Sequence, residues 1–192
     1  MKWPVVSVFI IVAVLGIGAA LMSRQVYPPS SSDTFTSQPD SQQKTVQATI
    51  TLEPSVSSIS VGEEVLFNLK VQAQNVYVVG VETYLTYDPT TLEISVLEPG
   101  SLLPQAKVLL NTIDPSTGNV AYALGSLTPT FADGVAYVVK ARALKPTTNL
   151  QSVLSIDRTQ TKVALASTDG NERYSEKQTQ LVFSEQPFSI LP

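Results

Sequence analysis

The sequence predicts an all-β fold, an antiparallel β-sandwich of about nine strands. Three observations carry that prediction. Apolar and polar residues alternate in run after run between Val46 and Ser184, the two-residue period that sends successive side chains to opposite faces of a strand. The runs are short and divided by Pro, Gly, Asp and Asn, the residues that build tight turns. No segment of this region carries a helical period, which leaves sheet packed on sheet as the way to bury its apolar side chains.

Taken in order, the chain begins with Val5–Met22, 18 residues without a charge behind Lys2. As a helix this stretch rises about 27 Å, near the lower limit for crossing a hydrocarbon core. Residues 1–22 therefore read as a membrane anchor, with Lys2 favouring an amino terminus on the inner side. They also read as a signal peptide, because Gly18-Ala19-Ala20 offers small residues for cleavage. Either reading exports the remainder of the chain, anchored to the membrane or secreted. Residues 23–45 are a linker: Ser23–Lys44 holds 15 Ser, Thr, Pro or Gln among 22 residues. Such a segment buries too little apolar surface to offset chain entropy and is expected to be a disordered tether spanning roughly 25 Å.

Residues 46–192 are the folded domain. Thr45–Pro192 carries 9 Lys and Arg against 14 Asp and Glu, a mild acidity that argues against a nucleic-acid partner. Val46–Leu52 alternates and Pro54 ends it; Val56, Ile59 and Val61 follow, and Gly62-Glu63 turns the chain. Val65–Val71 alternates cleanly, and Ala73-Gln74-Asn75 connects it to Val76–Tyr87. There Tyr77, Val79, Val81, Thr83, Leu85 and Tyr87 are expected on the core face, with Val78, Gly80, Glu82, Tyr84 and Thr86 on the other. Tyr87-Asp88-Pro89-Thr90-Thr91 is a turn set by Asp and Pro. Leu92–Leu97 is the next strand, closed by Glu98-Pro99-Gly100-Ser101 as an expected type II turn. Lys107–Thr112 and Val120–Leu124 flank the turn Asp114–Asn119. Gly125–Asp133 reads as a loop and Gly134–Leu144 as a strand that Lys145-Pro146 breaks. Leu150–Ile156, Thr161–Ala166 and Gln180–Ser184 complete the set, with a turn at Thr168–Asn171.

The chain has neither Cys nor His. That excludes disulfides, thiolate or imidazole metal ligands, and any Cys- or His-based catalytic set. Chemistry would rest on carboxylates, of which Asp88, Glu93, Glu98, Asp114 and Asp133 stand at turns or exposed strand positions, where such residues are expected without catalysis. No phosphate-cradling loop and no nucleophile elbow occurs. The expectation is a non-enzyme without cofactors. Direct polysaccharide binding would call for an aromatic strip. The single Trp, Trp3, lies in the apolar segment, which leaves Tyr84, Tyr122, Tyr137 and Tyr174 as contributors.

The run from Gly80 to Leu103 resembles bacterial cohesin modules. It carries Tyr87-Asp88-Pro89, then Leu92-Glu93-Ile94, then Pro99-Gly100-Ser101-Leu102-Leu103. Gly62 with Val65–Val71, Asn119–Leu124 and the strand opened by Gly134-Val135-Ala136-Tyr137 add to the resemblance, which extends over roughly Gln47 to Ser184. Lys140-Ala141-Arg142 departs from the family, which usually has Phe-Lys there. The resemblance implies a nine-stranded jelly-roll sandwich related to a class of carbohydrate-binding modules. It also implies a non-catalytic role: gripping dockerin modules of other proteins, often enzymes of polysaccharide breakdown, for display on scaffolds or cell surfaces. Calcium in that system belongs to the dockerin, and this chain has no calcium loop of that kind.

Two groups of residues are candidates for the partner contact. Glu82 falls where the family has an acidic or polar residue facing the dockerin, and strand alternation places it beside Tyr84 and Thr86 on the non-core face. An ordinary solvated strand face has the same pattern. Gly80 stands where better-known members carry a side-chain amide. In Val120–Leu124 the larger residues Tyr122 and Leu124 share a face with Val120, and the family uses an apolar contact from this strand. Both faces of this strand are apolar, so periodicity does not decide whether Tyr122 and Leu124 are interface or simply point into the core.

Overall fold

The structure is a computed structural model that describes residues 45–147, 153–169 and 173–192. The expected anchor (residues 1–22), the linker as far as residue 44 and the start of the predicted strand Leu150–Ile156 lie outside the described residues. Among the described residues there are eleven strands and a single 3-10 turn. The strands are β1 (Val46–Pro54), β2 (Ser58–Ser60), β3 (Glu64–Tyr87), β4 (Leu92–Pro99), β5 (Lys107–Asp114) and β6 (Asn119–Ala143). After them come β7 (Leu154–Ile156), β8 (Lys162–Ser167), β9 (Arg173–Tyr174), β10 (Thr179–Glu185) and β11 (Ser189–Leu191).

The two long strands, β3 and β6, organise the domain. Sequence reading divides each in two. The structure instead carries each through a corner, β3 near Asn75, where φ is +57°, and β6 through the stretch expected to be a loop, Gly125–Asp133. In that stretch the ladder to β3 breaks between Gly125 and Thr130. Pro129, which has no N–H to give to a ladder, sits in the break. The two halves of each strand belong to different layers. The first sheet runs β10–β1–β3 (Glu64–Gln72)–β6 (Asp133–Arg142)–β4. The second has β8 and β7 paired to β3 (Val76–Tyr87), then β6 (Asn119–Gly125), then β5, with β9 on the far side of β8.

A ring contact shows that the two sheets lie face to face. Tyr122 and Tyr137 are on the same strand, 15 residues apart, a span of roughly 50 Å in straight extended chain. Their ring centroids are 4.7 Å apart. Thr83, paired with Tyr122 in the second sheet, bonds through Oγ1 to the hydroxyl of Tyr137 from the first, and donates to the carbonyl of Tyr122. One core unites Ala48, Ile50, Phe67, Leu69 and Val71 of the first sheet with Val81, Leu85, Tyr122, Leu124 and Leu165 of the second. Full burial of each large aliphatic side chain contributes roughly 1.5–3 kcal/mol. Phe188, edge-on to Phe67 at 5.3 Å, and Ile190 of β11 seal one end.

Four expectations need correction. The sandwich is not wholly antiparallel: β1 pairs with β10, and β2 with β11, in parallel. Parallel neighbours need a long crossover, and here nearly the whole domain separates the paired strands. Gly100 does not form a type II turn, since its φ is not positive. It is small because a Cβ would stand 2.3 Å from the carbonyl oxygen of Val135, against which Gly100 and Leu102 donate their N–H groups to Ala136 and Val135. Val78 is fully buried although it falls on the opposite face by strict alternation. A register shift between Val78 and Gly80 inserts Val79, so the inward set is Val76 and Val78 before it and Val81, Thr83, Leu85 and Tyr87 after. The strand Ser189–Leu191 has no counterpart in the sequence reading.

The buried tyrosines yield a test. The Tyr122 hydroxyl is buried with no hydrogen-bond partner, whereas the Tyr137 hydroxyl has Thr83. An unmatched buried hydroxyl costs about 1–3 kcal/mol, and a matched one contributes about 1 kcal/mol. Tyr122→Phe is therefore expected to hold or raise the melting temperature, and Tyr137→Phe to lower it by about 3 °C. Equal losses in calorimetry would contradict this assignment.

Candidate functional site

The outer face of the second sheet is the surface on which sequence-derived candidates meet. Its rows follow from the strand register. Ala164, Gly80, Gly125 and Lys107 form one row across β8, β3, β6 and β5. The next is Lys162, Glu82, Ala123 and Leu110. Tyr84, Ala121 and Thr112 form the third; Thr86, Asn119 and Asp114 form the fourth. The centre is thus floored by Gly80, Gly125, Ala121, Ala123 and Ala164, and the taller side chains stand around it. Four strands at about 4.8 Å and seven residues at about 3.3 Å give a face roughly 20 by 23 Å, wide enough for one or two helices.

Glu82 and Tyr84 are half-buried on this face and Thr86 is exposed. The Tyr84 hydroxyl donates to Glu82 Oε1 at 2.7 Å. That bond, first of all, pushes the phenol's pKa above its ordinary value. Beside them Lys162 forms an ion pair with Glu176 at 2.8 Å, which holds its ammonium charged to higher pH than usual. The Tyr84–Glu82 pair leaves further acceptor capacity on the carboxylate for a partner.

Tyr122 and Leu124 do not belong to this face. They are 1% and 2% exposed and point into the core, where the Tyr122 ring packs on Tyr137. Their neighbours Ala121 and Ala123, which share the strand's other side, form the floor. With both sides of Val120–Leu124 apolar, the two-residue period had no polar partner to orient it. Side-chain volume was the usable signal, since close-packed interiors take the large residues and a floor opposite Gly80 takes the small ones. Sequence reading also missed Leu109 of β5. A register shift between Val108 and Leu110 bulges it outward, so that its side chain lies over Gly125, where an added Cβ would come within 3.0 Å of Leu109 Cδ1.

At the end with Thr86, two carboxylates are held by their own turns. Asp114 accepts from the Ser116 N–H and hydroxyl and from Thr117. Asp157 accepts from Thr159 and Gln160. These bonds lower both pKa values below the usual carboxylate range, Asp157 to about 2. Asp88 is lowered likewise by Thr90 and Thr91. A carboxylate with a depressed folded-state pKa adds stability above its unfolded value, about 3.9. That contribution is lost as pH falls through the folded value. The melting temperature is expected to be flat down to about pH 4 and to fall between about pH 4 and 2, with a shallower fall in Asp157→Asn. An unchanged slope in that variant would contradict the assignment.

Of the other carboxylates weighed for catalysis, Glu98 is exposed and two hold structural partners. Glu93 pairs with Arg142 at 2.6 Å and Asp133 accepts from Gln72 at 3.1 Å. Among the described residues no group of three or more Asp or Glu is arranged to hold a metal. Of the four tyrosines considered for sugar stacking, Tyr122, Tyr137 and Tyr174 are buried, which leaves Tyr84 as the one of the four on the surface.

Comparison with known proteins places the fold. No protein-family model matches the chain, and no curated protein matches it. Solved structures do. A type II cohesin, A11, from Bacteroides cellulosolvens is similar at a TM-score of 0.58 and 17% identity, covering 75% of this chain and 99% of that one. A chain of a type II Cohesin-X-Dockerin complex from Acetivibrio cellulolyticus gives 0.55 and 18%, covering 75% and 99%. A non-cellulosomal cohesin from the archaeon Archaeoglobus fulgidus gives 0.53 and 18%, covering 76% and 92%. The chain has a cohesin-like fold.

Proposed function

We propose that this domain is a non-catalytic docking module of the cohesin kind, which grips a dockerin-type module of another protein on the outer face of the second sheet. The observation that carries the reading is the shape of that face. A low floor of Gly and Ala, with Leu109 over Gly125 and Ala123 only 8% exposed, lies between taller polar side chains, Glu82, Tyr84 and Lys162 on one side and Lys107 and Thr112 on the other. A helix can approach such a floor closely, and the rim supplies hydrogen bonds. In the same reading, residues 5–22 hold the module at the membrane, residues 23–45 lift it clear, and the captured partner is a polysaccharide-degrading protein displayed at the cell surface.

The test is binding of purified dockerin modules to the captured full chain. Saturable binding that chelation of calcium abolishes, with the melting temperature of this protein unchanged by the chelator, is the expected result, because the calcium belongs to the dockerin. Failure to retain any dockerin across a broad panel would overturn the reading.

A further inference from the structure

The docking face differs chemically from one end to the other, and an inference about the partner, resting on the docking reading, follows from that difference. At the Gly80–Gly125 end, Val79, Leu109 and Leu127 line a groove of about 680 Å³ with Lys107 and Arg173. Leu109 is 69% exposed and Leu127 fully so. Among the described residues the ion pairs engage Lys70, Lys140, Arg142 and Lys162; the two cations of this groove, Lys107 and Arg173, are in none of them. About 20 Å along the strands, a second groove of about 330 Å³ is lined by Asp114 and Asp157 with Tyr84, Thr86, Asn119 and Gln160, and by no cation.

We propose that the two ends read opposite ends of one partner helix, which docks in a single orientation. Aliphatic side chains accompanied by carboxylates lie at the Leu109–Lys107–Arg173 end, and a Lys or Arg lies at the Asp114–Asp157 end. Turning the helix around sets its carboxylates against two fixed carboxylates and removes its aliphatic side chains from the groove that desolvates them. Like-charge contact of this sort selects against the wrong arrangement in addition to the attraction that favours the right one.

Two synthetic helical peptides of identical composition test this, each about 15 residues and so about 22 Å long. In the matched probe two Leu and two Glu share one end and two Lys occupy the other. In the mismatched probe the Leu pair is moved to the Lys end, so that no rotation satisfies both grooves. Surface plasmon resonance on the captured full chain is expected to show the matched probe binding at least about tenfold more tightly. The preference should shrink in high salt and disappear in the double variant Lys107→Glu, Arg173→Glu. Equal binding of the two probes, or binding of neither, overturns the proposal. Equal binding that Ala123→Arg abolishes overturns the orientation but keeps the docking face. A preference that survives Ala123→Arg places the contact elsewhere and overturns both.

Discussion

Gly118→Ala is expected to destabilise the domain by about 3 kcal/mol or more, lowering the melting temperature by about 9 °C. Gly118 ends the β5–β6 turn with φ at +69°, a conformation that costs a residue with a Cβ about 1–2 kcal/mol. Space adds to that cost. A Cβ there would stand 2.1 Å from the carbonyl oxygen of Tyr87, a backbone atom that cannot swing aside. The same glycine accepts the N–H of Tyr87 and donates its own to Asp114. Its displacement would therefore loosen Tyr87-Asp88-Pro89, the motif on which the family resemblance rests, from the hairpin beside it. Gly62→Ala is the control. Its φ is +91°, but nothing lies within 4 Å of the added Cβ, so it should lose only the conformational part. Chemical denaturation of the two variants separates the terms, and equal losses would show that the clash at Gly118 relaxes.

Much of this architecture was legible in the sequence because half-buried strands announce themselves by alternation. Val81, Thr83, Leu85 and Tyr87 are inward and Glu82, Tyr84 and Thr86 outward, as their order requires. Alternation fails where the ladder slips. The bulge at Val79 reverses the parity of Val76–Val78, and Gly80 beside it was the one local mark of the slip, left unread. It fails differently at Val120–Leu124, where both sides are apolar and the period is silent. The corners of β3 and β6 were read as a connector and a loop because Gln74-Asn75 are polar and Ser126–Thr130 is polar apart from Leu127 and contains Pro129. Extended chain that passes from one layer to the other keeps its backbone partners on only part of its length, and such residues suit it. The parallel pairing of β1 with β10 joins the first and the tenth strands of the domain, more than 120 residues apart in sequence, and no local pattern records that. The docking face could be read in part: its polar side from alternation, its floor only once Gly80 and Gly125 were seen in register.

Ala123 is at the middle of that floor, between Glu82 on β3 and Leu110 on β5, and replacing it carries the second large effect. Its side chain leaves the sheet on the outer side, away from the core cluster, but neighbouring side chains leave it only 8% exposed, so an arginine must push them aside and the melting temperature is expected to fall by a few degrees with the fold retained. Under a docked helix the added side chain has no room, because well-formed interface centres are packed as tightly as protein interiors. Central, desolvated positions also carry most of the binding free energy. Affinity is expected to fall at least about 100-fold, or about 2.7 kcal/mol. Thr51→Arg, on the outer side of β1 in the first sheet, adds the same charge and bulk on the opposite surface. Titration calorimetry of the two folded variants with a dockerin that binds the parent is the decisive measurement. Loss of binding in Ala123→Arg with Thr51→Arg unchanged is the predicted result; full affinity in Ala123→Arg, or a loss confined to Thr51→Arg, would contradict docking on the second sheet.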